Sequence, residues 1–159
     1  MRPVAAQDAD AWLALRDEFW PDSFEDHAVE IEVFIGDPPS DEACFVAELD
    51  GHGIVGFTEV GLRRYAEGST TSPVGYLEGI FVAAEHRRAG IARLLAAAGE
   101  YWAVSRGCTE MASDRDLANE ASGAFHDAVG YREAARSVCY IKPIGHGRPE
   151  SRPPLDEGT

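Results

Sequence analysis

Apolar positions change their spacing several times along the chain, and each change marks an element. Residues 2–6 alternate as a short first strand. Trp12, Leu13, Leu15 and Phe19 then recur at helical spacing with Arg16 among them, and Asp8 stands where a helix cap belongs. Pro21 stops this helix, because the residue before a proline avoids the α region. Ser23-Phe24-Glu25-Asp26 opens a second helix, to about residue 35. Residues 43–49 and 54–63 are β-rich and flank the hairpin turn Asp50-Gly51-His52-Gly53. A polar loop fills 65–73. Residues 76–82 form an apolar strand with a single carboxylate, Glu78, and lead through a basic turn into an Ala- and Leu-rich helix. Gly107 ends that helix. Beyond it the pattern predicts a strand at 108–113, a helix at 119–129, a strand from Gly130-Tyr131 and a last strand at 136–142. Residues 145–159 hold three of the nine prolines and almost no apolar side chains, so the pattern predicts one domain, 1–144, and a mobile tail.

The basic turn carries the clearest chemistry. In Arg87-Arg88-Ala89-Gly90-Ile91-Ala92 a strand passes into a helix whose first N–H groups have no intrahelical partner. Those amides and the positive helix end favour phosphate, Gly90 admits an anion close to the backbone, and the arginines add charge.

Charge and cysteine content narrow the classes. A net charge of −14 argues against nucleic acid and suits either solubility or a polycationic substrate. No apolar run is long enough to span a membrane and the start is unlike a signal peptide, so a cytoplasmic protein is expected. Cys44, Cys108 and Cys139 are far apart and odd in number, which predicts buried free thiols, no disulfide framework and no metal site.

The spacing Arg87-x-x-Gly90-x-Ala92, soon after Ile80-Phe81-Val82, resembles the acetyl-CoA pyrophosphate loop of the GNAT superfamily of N-acetyltransferases, with Ala92 where glycine is frequent. The element order also resembles that superfamily, which implies an α/β (α+β) fold with a mixed, bent central sheet and helices on both faces. Phe19-Trp20-Pro21, Leu77-Glu78-Gly79-Ile80-Phe81-Val82, Glu110-Met111-Ala112-Ser113-Asp114 and Phe125-His126-x-x-x-Gly130-Tyr131 resemble one subgroup, the aminoglycoside 6'-N-acetyltransferases.

That resemblance implies direct acetyl transfer from acetyl-CoA to an aminoglycoside amine, without a metal, in a homodimer with the last strands at its interface. An alkyl amine is mostly protonated at neutral pH, since the reference lysine pKa is about 10.4. The site must therefore bind an ammonium, remove its proton and stabilise an oxyanion. Glu78 is the expected base, and an ion pair to Arg63 or Arg136 is its structural alternative. Asp114 would hold a second amine or shape a turn. Asn119 would contact the pantetheine arm or cap a helix. The amides of Ile80 and Val82 would pair with that arm, and Phe81 or a neighbour would donate to the oxyanion. His126, standing where many members carry the tyrosine that protonates the departing thiolate, would act as that acid or contact CoA, and Tyr140 is a second candidate acid. Trp20 and Tyr65 would wall the sugar site. Two other readings use the same donor loop: an acetyltransferase for another polyamine or a protein amine, and a non-catalytic acyl-CoA- or drug-binding protein.

Overall fold

The computed structural model describes residues 1–21 and 24–144. The elements run β1 (Arg2–Pro3), α1 (Ala9–Phe19), α2 (Phe24–Gly36), β2 (Glu42–Leu49), β3 (Gly53–Arg63), β4 (Val74–Val82), α3 (Ile91–Ser105), β5 (Met111–Ser113) and α4 (Glu120–Val129). Short 3-10 turns precede α1 and α3. Among the described residues the strands form one sheet in the order β1-β2-β3-β4-β5, antiparallel except for the parallel β4–β5 pair.

Alternation of apolar side chains along β2, β3 and β4 feeds two cores, one on each side of the sheet. Phe57, Val46 and Phe81 meet Trp12, Leu15 and Ile31 of α1 and α2. On the other face Val82 packs with Ile91 and Leu95, and Val60 and Leu77 pack with Trp102 of α3.

Two features of the sheet prepare the site. The β3–β4 register slips between Glu59 and Val60, which pair with Gly79 and Leu77, so Glu78 is the extra residue of a β-bulge. The β4–β5 pairing ends at Leu77–Ser113, although β4 runs on to Val82. The backbone of 78–82 therefore has an edge with no strand beside it among the described residues.

Several expectations are corrected. Asp8 does not cap α1: its carboxylate takes Arg2 at 2.6 and 2.9 Å and the Ala5 N–H at 2.8 Å. A paired arginine offers this 4 % exposed carboxylate more than a helix amide does. The strand expected at 108–113 is only three residues long. The two strands expected beyond Gly130 are absent, and 131–144 contains no regular element. Val138, Tyr140, Ile141 and Ile144 there are 75–98 % exposed. Their composition suits a strand, but a strand gains its stability from cross-strand neighbours, and this run has none. Cys44 and Cys108 are buried as expected, whereas Cys139 lies exposed on the same run. Ser23 and the tail at 145–159 lie outside the described residues.

Candidate active site

The phosphate turn is built mainly from backbone. Gly90 adopts φ +80° at the head of α3, and a side chain there would be strained for conformational reasons alone. Arg88 also has a positive φ, 60°. Arg87 folds back so that its Nε donates to the Val82 carbonyl at 2.8 Å, with its guanidinium 5.2 Å from the Phe81 ring centre. A cleft of about 240 Å³ lies here, lined by Val82, Arg87, Arg88, Gly90, Ile91 and Phe125. Free amides, a helix N-terminus and two arginines at one end of an apolar-walled cleft fit the pyrophosphate and arm of a CoA thioester.

The unpaired edge of β4 continues this cleft. The Ala83 N–H donates to the Val55 carbonyl at 2.9 Å, across to β3. Two-residue alternation turns Phe81 the same way and turns the amides of Ile80 and Val82 to the free edge. Those two N–H groups are placed for an extended amide-bearing arm. Phe81 itself faces β3, so an oxyanion donor on this edge comes from its neighbours.

Glu78 emerges at the bulge, 38 % exposed by side chain. Arg63 pairs with it in fork geometry, Nε to Oε1 at 3.0 Å and NH2 to Oε2 at 2.5 Å. Of the two structural partners expected for Glu78, the structure selects Arg63; Arg136 pairs with Glu133 instead. The Arg63 guanidinium also lies 3.3 Å from the Tyr76 ring centre. The Tyr76 hydroxyl is pushed up to about 12, first by burial and then by the Asp114 charge beside it. Glu78, Arg63, Tyr76 and Asp114 thus form one cluster where β4 and β5 part.

Trp20 forms the next wall. Its ring lies on Gly79, where a Cβ would come within 2.5 Å of the indole. It also lines a recess of about 300 Å³ with Arg16, Asp26, His27 and Glu30. Arg16 takes Glu30 at 2.8 Å there, so the recess offers a cationic sugar an aromatic face and carboxylates of which one is already ion-paired.

Other expected residues are placed differently. Tyr65 is 65 % exposed at the start of the 65–73 loop. Asn119 caps α4, its side-chain oxygen accepting the Ser122 N–H at 3.0 Å. The His126 Nδ1 donates to the Ser122 carbonyl at 2.7 Å, which leaves Nε2 buried without a partner. Tyr140 is 93 % exposed, and among the described residues no hydrogen bond ties it to Glu78, Asp114 or His126.

Two further carboxylates escaped sequence reasoning. Glu110, in the Glu110–Asp114 stretch, accepts hydrogen bonds from the amides and hydroxyls of Thr70 and Thr71 and so pins the 65–73 loop. Those bonds hold its carboxyl down at about 2. Glu59 lies under α1, accepting the Trp12 indole N–H at 2.9 Å with Arg16 Nε 3.0 Å away. Burial pushes it up to about 7.

The model of the acetyltransferase (GNAT) family matches residues 9–131. The chain belongs to the GNAT acetyltransferase family. Aminoglycoside N(6')-acetyltransferase type 1 of Serratia marcescens is 45 % identical over 139 residues, 86 % of this chain and 93 % of that protein. The protein of the same name from Klebsiella aerogenes is 40 % identical over 146 residues, 91 % and 96 % of the two chains. Among solved structures, the aminoglycoside antibiotic 6'-N-acetyltransferase AAC(6')-Ih of Acinetobacter baumannii superposes with a TM-score of 0.83 at 40 % identity, covering 90 % of this chain and 97 % of that one. AAC(6')-Iy in complex with the bisubstrate analog CoA-S-monomethyl-acetylneamine gives 0.84 at 34 % identity, with coverage of 90 % and 97 %. This GNAT chain has the mixed sheet with helices on both faces that its sequence led one to expect. Among the described residues no helix is long and apolar enough to cross a membrane.

Proposed function

We propose that this chain transfers the acetyl group of acetyl-CoA to the 6'-amine of aminoglycoside antibiotics and so confers resistance. The observation that carries the reading is an accessible carboxylate, Glu78, at the β4 bulge where that strand's unpaired edge begins, on the same strand that runs into the phosphate turn and its cleft. The type 1 aminoglycoside N(6')-acetyltransferases it resembles support the acceptor. Acetyl-CoA supplies the activated acetyl group when bound. The turn at 87–92 and the amides of Ile80 and Val82 hold the donor. Glu78 receives the acceptor ammonium and takes its proton, directly or through a water, and Asp114 holds a second amine. Trp20 walls the sugar.

Buried Cys44 and Cys108, both pushed up by burial, are poor nucleophiles, which favours direct attack by the amine. His126 donates a proton from Nε2 only in its doubly protonated form, since Nδ1–H is spent on Ser122. The enzyme works in the cytoplasm, where its donor is available. It works as a homodimer in which a second copy covers the exposed apolar run at 131–144.

The test is release of CoA thiol from acetyl-CoA with kanamycin or tobramycin, beside the 6'-hydroxyl compound paromomycin. Turnover with the 6'-amino compounds alone is expected. Tight acetyl-CoA binding with turnover of neither would move the acceptor to another amine or to none.

A further inference from the structure

A base that must receive a substrate ammonium should have a free carboxylate, yet both oxygens of Glu78 are occupied by Arg63. Arg63 sits against a carboxylate, above the Tyr76 ring, with the Asp114 charge acting on it. A carboxylate, an aromatic face and a second carboxylate are the features that hold an alkylammonium. Arg63 therefore fills a cation subsite of the protein's own. It is lightly held there. The side chains of Arg63 and Glu78 are 44 % and 38 % exposed, and exposed ion pairs open at little cost. Among the described residues, its side-chain hydrogen bonds go to Glu78 alone. The bulge residue and the last residue of β3 thus form a contact that can open without disturbing either core.

We infer that Arg63 is a resident cation that exchanges with the acceptor's 6'-ammonium on Glu78. With no acceptor, Arg63 closes the carboxylate. An incoming ammonium displaces it. Once the 6'-amine has become a neutral amide, and Glu78 has passed its proton to the departing CoA thiolate or to water, the 6' position no longer competes for the carboxylate and Arg63 returns, which favours product release. The apparent affinity for the amine is then the intrinsic affinity multiplied by the fraction of molecules in which the pair is open. This inference rests on the acceptor reading given above. It assigns Arg63 a role in acceptor selection and leaves proton removal with Glu78.

Neomycin and paromomycin make a matched pair, differing only in a 6'-amine against a 6'-hydroxyl. Both are titrated by calorimetry into the CoA complex of the wild type, of Arg63→Met, which keeps the stem and loses the charge, and of Arg63→Lys, which keeps a competing cation. For Arg63→Met the dissociation constant for neomycin should fall about tenfold, as for a pair closed in about nine molecules of ten. That for paromomycin should change less than about twofold, and Arg63→Lys should bind neomycin nearly as the wild type does. Equal tightening of both ligands would reduce the effect to bulk charge and overturn the inference. Unchanged or weaker neomycin binding in Arg63→Met would also overturn it and leave Arg63 as a support that orients Glu78. Thiol release is followed in parallel. Wild-type turnover of neomycin without tightening in Arg63→Met removes the exchange and keeps the acceptor reading. Amine-selective tightening without turnover keeps the exchange and removes that reading. If neomycin neither binds nor turns over, both fall together.

Discussion

Two glutamate–arginine pairs flank the same β-bulge, and they are built for opposite ends. Glu59 and Arg16 lie under α1, with side chains 17 % and 11 % exposed. The Trp12 indole N–H fixes one Glu59 oxygen, and Arg16 is shared with Glu30 at 2.8 Å. Glu78 and Arg63 lie at the bulge and the end of β3, half open to solvent. Burial brings Glu59 to about 7, which on proton affinity alone would suit a base at neutral pH. Geometry argues against it. A base must reach the proton it removes, and Glu59 faces an indole and a guanidinium beneath a helix, whereas the Glu78 side chain is open to solvent at the bulge, where an amine can approach.

The largest expected effect separates the two pairs directly. Glu78→Gln keeps the shape and loses the base, so kcat/KM should fall about 10²- to 10³-fold at neutral pH with acetyl-CoA affinity unchanged. Glu59→Gln should keep kcat/KM within about threefold, because its amide oxygen still accepts from Trp12. Steady-state kinetics on both variants check this, and the reverse pattern would move the base to Glu59.

The next effect is on stability. Burial raises Glu59 in the folded chain from 4.5 to about 7. Between those values the folded state binds more protons than the unfolded one, so stability falls as pH rises through the window. The loss is at most between about 3 and 4 kcal/mol, at about 1.36 kcal/mol per pH unit of that window. Urea midpoints at pH 5 and pH 8 should show it, and Glu59→Gln should flatten that part of the profile. An equally steep profile in the variant would place the titration elsewhere.

The difference between the pairs also explains what the sequence could reveal. Glu78 was legible because a carboxylate inside an apolar run needs a reason. The phosphate turn was legible because residues 87–92 carry all of its parts within one local segment. Glu59 was not legible. Alternation in 53–63 marks it only as a polar strand position, and its burial comes from α1, some 47 residues away through Trp12. Glu110 likewise meets Thr70 and Thr71 across 40 and 39 residues. The bulge that aims Glu78 is a property of two strands in register, which neither strand encodes alone. Asp8 departs from its expected cap because the pattern of a helix end carries no sign of an arginine arriving from β1. The runs beyond Gly130 have strand composition, but a pairing partner is not written in the segment itself.

A smaller effect tests the reach of the exposed pair. Asp114 acts on both Tyr76 and Arg63, on the solvent side of the cluster. Asp114→Asn should raise the acceptor KM about tenfold, the worth of one charge-assisted contact, with little change in the KM for acetyl-CoA. Equal effects on both substrates would make Asp114 part of the local turn rather than of the acceptor site.

The smallest effect asks whether access governs a third titratable group. His126 resembles Glu59 more than Glu78: its Nε2 is buried and unpartnered, its Nδ1 is committed to Ser122, and its ring packs edge-on against Phe125 and Tyr131. A group so enclosed is a packing element of α4, whose Phe125 reaches the donor cleft. His126→Phe keeps a flat ring in that slot and should change kcat less than about twofold at pH 8. Proton donation would instead make the loss grow as pH falls, because only the doubly protonated ring has a hydrogen to give from Nε2. A pH–kcat profile of the variant that diverges from the wild type at low pH would show that an enclosed group can still exchange protons with the site. It would also reopen the choice between Glu59 and Glu78, since access would no longer decide it.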